Sequence, residues 1–404
     1  MSTSLLNYTH GIFGFQHQSY KYEKQKVIQR IRRKKYSCMN CSSNKVSLSP
    51  IRSRRIHCGN IGRKIFYVEL KINRIYCQNC KALLLEKIPF LSYPKSRISS
   101  SLERTIIELR SEMSITGVAE YFKLGWRTVK ECEKRYLKKK FKTVKLKNVS
   151  VIGMDEIYIK SQGKEKYITI VRDLKSGAVL YVGDGKGADS LEPFGKKLRH
   201  SKAKITAIAM DMSKAYISWV NKNLPDAMIV FDHFHVIKLM NDKVDKVRRR
   251  VSAELDEQQR KLLKNQRFLF LRNVENLEPD AKLLLDNLRK IFKELGNVSM
   301  MKEALRSIYH MAENDFQAEA AFKNWCSIAK QTEMKELIEM AKTIKNNLFG
   351  IIAYWKTGAL SNAGMEGFNN KIRWLIRQAY GFKDKEYFTL KIYNLPNTKV
   401  EPVL

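Results

Sequence analysis

The chain has 404 residues, 44% of them hydrophobic, which allows two to four domains with buried cores and argues against extended disorder. Its 76 lysine and arginine residues against 40 acidic residues give a net charge of +36, which predicts a polyanionic partner, first of all nucleic acid. No apolar run is long enough to span a membrane, and seven cysteines, an odd number, do not indicate a disulfide framework. Since the N-terminus lacks a secretory pattern, a cytoplasmic location without membrane contact is expected.

The positive charge is concentrated in the first third of the chain. Residues 1–150 hold 33 basic and 9 acidic residues, whereas residues 251–350 hold 16 and 15. Most phosphate contacts are therefore expected from the first segment, and the difference predicts a chain built from separate modules.

Short strands and turns are predicted up to about Pro94, and within them lie two CxxC pairs separated by 35 residues. Two CxxC turns predict one structural zinc site, the alternative being four reduced thiols. The ligands would be Cys38, Cys41, Cys77 and Cys80. Cys58, beside His57, could compete as a ligand, whereas Cys132 and Cys326 are expected to be ordinary buried thiols. A knuckle this small buries little apolar surface, so the metal is expected to supply its folding energy.

Two helices separated by a short turn are predicted after residue 100. A helix over 115–122, a turn at Leu124-Gly125 and a second helix over 126–137 follow the helical spacing of apolar residues. This is the outline of a helix-turn-helix, and the alternative is an αα-hairpin of a helical domain. The second helix carries side chains suited to phosphates and base edges, and these are the candidate DNA contacts: Arg127, Thr128, Lys130, Lys134 and Arg135.

From residue 149 the pattern changes to α/β. The predicted elements are strands over 151–159, 167–173 and 178–184 with turns at Gln162-Gly163 and Ser176-Gly177, a helix over 189–199, a strand over 205–210, a helix over 213–224 and a strand over 228–231. This is the element order of an RNase H-like core. The following region up to about Tyr354 is helical in period, with breaks at Glu278-Pro279 and Gly296-Asn297, and is predicted to be a helical insertion.

Two acids lie where this element order brings strands together. Asp155 is in the first strand and Asp211 directly follows the fourth. These strands are neighbours in an RNase H-like sheet, so the two carboxylates would face each other. Carboxylates that close repel, and a divalent cation relieves the repulsion. One or two Mg²⁺ or Mn²⁺ ions held in this way are what in-line attack on a phosphodiester requires.

A third acid is expected from the helix that begins near Ser361 or Asn362, either of which could cap it. At helical spacing, Glu366 shares a face with amides and guanidinium groups: Asn369, Asn370, Arg373 and Arg377. The first three of these are candidate DNA contacts. Gly364 and Gly367 are poor helix formers near a helix start and predict close approach of another backbone.

Over nearly its whole length the chain resembles ISL3-family transposases of bacterial insertion sequences. The resemblance rests on the paired CxxC segment, the helix-turn-helix and four motifs: IGMDE at 152–156, AMDMS at 209–213, FDHFHV at 231–236, and the stretch 361–382. Within that stretch, EGFNNKI at 366–372 and RQAYGF at 377–382 are the most specific. The leader, residues 1–30, carries no family match.

The resemblance implies that Asp155, Asp211 and Glu366 form an Asp-Asp-Glu catalytic triad. Asp232 and His235 form a D-x-x-H pattern that resembles one in many DDE transposases with helical insertions. For these two residues the alternative to a catalytic role is a helix cap and a packed histidine.

The predicted fold is multidomain, with a small zinc-binding module, an all-α helix-turn-helix domain, and an α/β RNase H-like catalytic core interrupted by a large all-α insertion. The predicted boundaries are leader and zinc module 1–94, helix-turn-helix domain 95–148, first part of the core 149–237, insertion 238–355, and final core helix with C-terminal tail 356–404.

The function that the resemblance implies is a DNA transposase that binds the terminal inverted repeats of its insertion sequence. It would cleave and join double-stranded DNA, both transposon ends and target, with Mg²⁺ or Mn²⁺, as a homo-oligomer assembled on DNA. Two alternatives stay open: a nuclease of the same fold that cuts without joining, and a zinc and helix-turn-helix regulator with a decayed core. Three acids at the expected elements argue against decay.

Overall fold

The computed structural model describes residues 3–161, 164–379 and 381–396, so the predicted turn at Gln162-Gly163, Tyr380 of the RQAYGF motif and the tail from residue 397 lie outside the described residues. The described residues up to Lys142 form one compact unit, unit 1, and those from Thr143 to Pro396 form another, unit 2. Among the described helices, none combines the length and apolar character needed to cross a membrane.

Unit 1 begins with a five-stranded sheet. Its elements are α1 (Thr3–His10), β1 (Phe15–Glu23), β2 (Lys26–Arg33), β3 (Val46–Ile61), β4 (Lys64–Cys77) and β5 (Leu83–Leu85). The strand order is β1-β2-β4-β3, with β5 paired to β4; β2 and β4 are parallel and the other pairs antiparallel. The leader, which carried no family match, therefore supplies α1, β1 and the start of β2.

This sheet has an apolar core of its own, which includes Leu6, Ile12, Phe15, Ile31, Ile56, Phe66, Val68 and Leu70. Two of its strands are long, 16 residues in β3 and 14 in β4, where short strands were predicted. The prediction that metal supplies the folding energy of the whole module is therefore wrong for the sheet, which has an apolar core of its own. Burial of apolar side chains stabilises the sheet independently of the CxxC turns that extend from it.

Three helices complete unit 1: α2 (Ser100–Leu109), α3 (Ile115–Phe122) and α4 (Trp126–Lys140). Ser99 and Ser114 cap α2 and α3 by accepting from backbone N–H groups in the first turn. Lys123, with φ +52°, ends α3 and turns the chain into α4. The predicted bounds of α3 are confirmed, whereas α4 extends to Lys140, three residues beyond its predicted end.

Unit 2 begins with a second five-stranded sheet. Its elements are β6 (Val151–Ser161), β7 (Lys164–Asp173), β8 (Val179–Asp184), α5 (Ala188–His200), β9 (Ala207–Met210), α6 (Lys214–Asn223) and β10 (Met228–Phe231). The strand order is β10-β9-β6-β7-β8, with β6, β7 and β8 antiparallel and β6, β9 and β10 parallel. The predicted element order is confirmed, and every residue of β9 is buried, as its apolar sequence requires.

The rest of unit 2 is helical. Its helices are α7 (His233–Glu254), α8 (Glu257–Leu263), α9 (Arg267–Leu271), α10 (Pro279–Ile291), α11 (Lys293–Met311), α12 (Asp315–Gln331), α13 (Lys335–Asn346), α14 (Leu348–Lys356), α15 (Ala363–Gln378) and α16 (Lys385–Asn394). The predicted break at Pro279 is confirmed, because proline begins α10. The break at Gly296 is wrong: Gly296 lies inside α11, where a Cβ would collide with the carbonyl oxygen of Arg289. Helix α16, which Asp384 caps, was not predicted.

Candidate functional site

Two aspartates lie next to each other at the parallel strands β6 and β9: Asp155 within β6 and Asp211 directly after β9. The pair Gly153–Ala209 is the last in the register of these strands. Asp155 and Asp211 are each two residues further along, so they continue the same row on the same face of the sheet. Burial raises the pKa of both carboxyl groups, and the charge of Asp155 adds to the rise at Asp211. Burial therefore disfavours the ionised form of both groups, and a bound cation would offset this cost.

Neutral donors hold both acids in place. Oδ1 of Asp155 accepts from the backbone N–H of Glu156 at 2.8 Å, and Oδ2 accepts from the side-chain amide of Asn369 at 2.5 Å. Oδ1 of Asp211 accepts from the backbone N–H of Ser213 at 3.2 Å. Two positioned carboxylates with raised pKa values are a donor set that fits a hard divalent cation.

The helix α15 is attached to β6 next to the aspartates. Asn362, which precedes its first turn, is buried and donates to the carbonyl of Met154 at 3.1 Å. A Cβ on Gly153 would lie 2.6 Å from Oδ1 of Asn362 and 3.2 Å from Cγ of Met365, so the strand has no room for a side chain there. Glycine at this position is what permits the close approach of α15.

The close approach predicted at Gly364 and Gly367 is wrong. A Cβ on either residue would meet nothing within 4 Å among the residues that the structure describes. The tight contact between β6 and α15 is on the strand, at Gly153, and the two helix glycines face open space.

Glu366 lies in the first turn of α15 and is exposed. Asn369, three residues later on the same side of the helix, is the residue that reaches Asp155. Across the described part of the chain, only the four cysteines bring three or more potential metal-ligand atoms within 4.8 Å of one another. The structure thus brings Asp155 and Asp211 together, with Glu366 on the adjacent helix and not closed onto them.

The polar face of α15 divides into a buried and an exposed part. Asn369 is only 4% exposed and bonded to Asp155, which corrects its prediction as a DNA contact: its amide positions an acid instead. Asn370, Arg373 and Arg377 are exposed, and Arg373 donates to Oδ1 of Asn370 at 2.8 Å. These three side chains remain accessible to a ligand.

The two residues of the D-x-x-H pattern have different surroundings: Asp232 caps a helix, and His235 lies near Asp155 and Asp211. Asp232 caps α7 by accepting from the N–H of Phe234 at 3.2 Å. His233 packs 5.6 Å and 5.7 Å from the ring centroids of Tyr309 and Tyr354. His235 lies near both site aspartates and lowers their pKa values, opposing the effect of burial. The alternative of a helix cap therefore fits Asp232. The histidine packed against aromatic rings is His233, whereas His235 lies near Asp155 and Asp211.

Two further side chains support the site, and the sequence analysis did not identify them. Arg172 donates to the carbonyl of Gly364 at 2.8 Å, and its guanidinium lies 4.1 Å from the ring centroid of Phe368. Glu156 accepts from the N–H of Gly187 at 3.1 Å. Glu156 adjoins Asp155 in its motif, which is a usable signal, whereas the partner of Arg172 is 192 residues away and leaves no local pattern.

The helix-turn-helix exposes only part of its predicted contact set. Arg127 and Thr128, at the start of α4, are exposed, and Lys130 and Lys134 are half-buried. Arg135 donates to Glu103 at 2.6 Å and lies 4.7 Å from the ring centroid of Tyr93. Arg135 is therefore also held within unit 1, and its role as a DNA contact stays a prediction.

The four predicted zinc ligands form one cluster. The Sγ atoms of Cys38 and Cys80 are 3.5 Å apart, as are those of Cys41 and Cys77, and all four lie within 4.8 Å of one another. Sulfur atoms around a tetrahedral zinc, with Zn–S of about 2.3 Å, lie about 3.8 Å apart, so the cluster has the right size. The N–H of Ser43, with a smaller contribution from Asn79, lowers the pKa of Cys41 to about 6, which favours the thiolate.

The two CxxC turns have the same local geometry. Each is followed by a residue in the left-handed region, Ser42 at φ +57° and Lys81 at φ +56°. In each, the N–H of the first cysteine donates to a carbonyl five residues later. Cys58 is excluded as a competing ligand, because it lies in the apolar core of the sheet, where burial raises its pKa to about 12. Cys132 and Cys326 are buried thiols, as predicted.

Comparison with known proteins agrees with this arrangement. The model of the ISL3 transposase family matches residues 152–392. The chain is 31% identical over 323 residues to the transposase for insertion sequence element IS1001 of Bordetella parapertussis, covering 79% of this chain and 78% of that protein. It is 26% identical over 311 residues to the transposase for insertion sequence element IS1557 of Mycobacterium tuberculosis, covering 71% and 69%.

Among solved structures, a Drosophila P element transposase strand transfer complex aligns with a TM-score of 0.38 and 13% identity, over 73% of this chain and 91% of that one. The family match spans more than half of the chain and includes Asp155 in β6, Asp211 directly after β9, and Glu366 in α15. The chain belongs to the ISL3 family of transposases.

Proposed function

We propose that this transposase cuts DNA at the ends of its own insertion sequence and joins the freed 3′ ends to target DNA, with Asp155, Asp211 and Glu366 as its metal-binding triad. The observation that carries the proposal is the placement of Asp155 in β6 next to Asp211 at the end of the parallel strand β9, with both pKa values raised by burial. The named relatives, transposases for IS1001 and IS1557, support an insertion sequence as the substrate.

The strand order β10-β9-β6-β7-β8 supports an RNase H-like core, in which α7 to α14 form an insertion before α15. The modules we propose are a zinc module over 1–94, a helix-turn-helix domain over 95–148, a core over 149–237 and 356–404, and an insertion over 238–355. In this scheme the zinc ion is structural and holds the two CxxC turns together.

Divalent cations bound at the triad would supply activation of water or of a 3′-hydroxyl and stabilisation of the leaving oxygen. Asp155 and Asp211 provide ligand oxygens, which the amide of Asn369 and the N–H of Ser213 orient. His235 moderates the repulsion between the two acids. Glu366 is proposed as the third ligand.

DNA recognition is assigned to both units. Arg127 and Thr128 on α4 would contact the terminal repeats, while Asn370 and Arg373 would contact the backbone near the scissile bond. Strand transfer of two ends would take place in a homo-oligomer assembled on DNA.

The test replaces each acid by its amide and measures Mg²⁺-dependent cleavage and joining of end-containing DNA. Asp155→Asn, Asp211→Asn and Glu366→Gln should each lower both rates at least about a thousandfold, with end binding nearly unchanged. Asp226→Asn is the matched control, because Asp226 is exposed; Glu156 is unsuitable, since its carboxylate binds Gly187. A Glu366→Gln protein that cuts at the wild-type rate would refute the third ligand, and cleavage without joined products would favour the nuclease alternative.

A further inference from the structure

We propose that unit 1 holds a second phosphate-binding surface, which grips the sugar-phosphate backbone of duplex DNA beside the site contacted by α4. This tip surface is defined by Lys24, Arg63, Lys64 and Lys123, from two β-hairpin tips and the turn of the helix-turn-helix. The inference rests on the proposed function, because it assigns a further contact to the same DNA.

Sheet topology brings the first three cations together. The strands β2 and β4 are parallel neighbours whose register begins at Lys26 and Ile65, so their starting ends lie side by side. The N–H of Ile65 donates to the carbonyl of Gln25 at 2.9 Å, which ties one hairpin tip to the other. Lys24 lies in the tip that precedes β2, while Arg63 and Lys64 lie where β4 begins.

Two side chains of β3 form hydrogen bonds to the end of α3, just before the turn that leads into α4. The Nδ1 atom of His57 accepts from the N–H of Gly59 at 3.1 Å, so Nε2 carries the proton and donates to the carbonyl of Phe122 at 2.9 Å. Burial lowers the pKa of His57, which keeps this neutral form. Asn60 donates to the carbonyl of Tyr121 at 3.1 Å. The next residue after Phe122 is Lys123, so its position relative to the sheet is fixed.

The resulting concavity has a volume of about 370 Å³ and is lined by Lys24, Gln25, Asn60, Arg63, Lys64, Ile65, Tyr121 and Lys123. Half of these residues are cationic and none is acidic. Within the described chain, none of the four cations has an ion-pair partner, and all four are exposed. The acid next in sequence, Glu23, is already paired with Lys21 at 3.3 Å and Arg55 at 3.9 Å.

Four uncompensated like charges around one concavity repel each other, so an anion bound there stabilises the arrangement. The surface is open and spans three turns, and only two residues separate Lys123 from Trp126, where α4 begins. A linear polyanion that contacts the exposed start of α4 can therefore continue onto the tips, which favours a DNA backbone over a small phosphate compound.

The experiment compares two full-length variants that lose equal charge from unit 1. The tip variant changes Lys24, Arg63, Lys64 and Lys123 to glutamine. The control variant changes four other exposed lysines to glutamine: Lys34, Lys35, Lys71 and Lys87. Binding is measured across a salt series, without divalent metal, on a duplex carrying one end of the element and on an unrelated duplex of equal length.

The slope of log K against log salt should become shallower by about 3 to 4 in the tip variant on both duplexes, since each phosphate contact contributes about 0.9. Affinity at about 0.1 M salt should fall at least about 100-fold, with an unchanged ratio between the two duplexes, because phosphate contacts carry no sequence information. The control variant should change the slope by less than about 1. Equal slopes for the two variants, or a changed ratio in the tip variant, would overturn the assignment.

Cleavage by the wild-type protein separates this inference from the proposed function. If wild-type protein does not cut end-containing DNA with Mg²⁺, the transposase proposal fails whatever the slopes show. If it cuts and the tip variant keeps the wild-type slope, the tip surface alone is rejected. The melting temperature of the DNA-free tip variant should be equal to or slightly above that of wild type, since the four side chains are exposed and their mutual repulsion is removed.

Discussion

Replacing Gly153 by alanine tests whether the contact between β6 and α15 sets the position of Glu366. The added Cβ would lie 2.6 Å from Oδ1 of Asn362, 2.7 Å from Cδ2 of Leu174 and 3.2 Å from Cγ of Met365. Carbon contacts are optimal at about 3.5–4.0 Å, so the start of α15 must move by roughly 1 Å. Overpacking of this kind costs about 1–3 kcal/mol.

The expected loss has two parts, which can be measured separately. For a unit of this size, 1 kcal/mol lowers the melting temperature by about 2–4 °C, so a fall of roughly 2–12 °C is expected. The shift also moves Asn369, whose amide lies 2.5 Å from Oδ2 of Asp155. Because a misplacement of about 1 Å can cost about 100-fold in rate, Mg²⁺-dependent cleavage should fall by about that factor where the variant is still folded.

Alanine at Gly364 or Gly367 is the matched control, for which we expect a change in melting temperature of the opposite sign. Both positions are helical and open, so the methyl group collides with nothing described. Replacing a helical glycine by alanine stabilises by about 0.5–1 kcal/mol, so each control should melt slightly higher than wild type. A Gly153→Ala protein that melts and cuts like wild type, or controls that melt lower, would refute this account of where the chain is tightly packed.

Two further predictions concern the metal sites. Wild-type protein should hold about one zinc per chain by elemental analysis, and Cys77→Ser should lose it while the circular dichroism of the sheet is largely retained, because the sheet has its own apolar core. Complete unfolding of unit 1 would contradict this. Asp211→Asn should raise the metal-free melting temperature at neutral pH. Because the pKa of Asp211 is raised in the folded state, wild type loses folding stability as the pH rises through that raised pKa, and the asparagine variant does not. The difference in melting temperature between variant and wild type should therefore grow above about pH 4. Mg²⁺ at about 100 times Kd should stabilise wild type by about 2.7 kcal/mol and the variant much less, and equal responses would argue against a metal site.

Local patterns were sufficient to predict the elements that carry the acids. The apolar run before Asp211 and the alternating strand around Asp155 mark β9 and β6, and the element order then implies that the two strands are neighbours. The CxxC spacing likewise predicts the cysteine cluster, since each turn has a local geometry of its own. Each of these strands and turns is determined by a pattern that lies within a few consecutive residues.

Predictions failed where the partner of a residue is distant in sequence. Gly296 was predicted to break a helix, but it lies inside α11. Glycine is required there because the carbonyl of Arg289 on the neighbouring helix leaves no room for a side chain. Asn369 reads as an exposed amide on a polar face, yet it is buried against Asp155, 214 residues earlier. Arg135 was predicted as a DNA contact, and its ion pair with Glu103 was not predicted. No periodicity distinguishes these side chains from exposed ones, because the deciding contact is tertiary.

The attachments of α15 predict that replacing Glu366 leaves the fold intact. Asn362 donates to the carbonyl of Met154, Arg172 donates to the carbonyl of Gly364, and Asn369 donates to Asp155. None of these three bonds involves Glu366, whose side chain is exposed. The helix is therefore positioned by its neighbours, and the carboxylate of Glu366 is exposed, as the proposed role of metal ligand requires. We therefore expect a Glu366 variant to lose activity without loss of stability, whereas an Asn369 variant should lose both, because Asn369 orients Asp155 and helps to hold the helix.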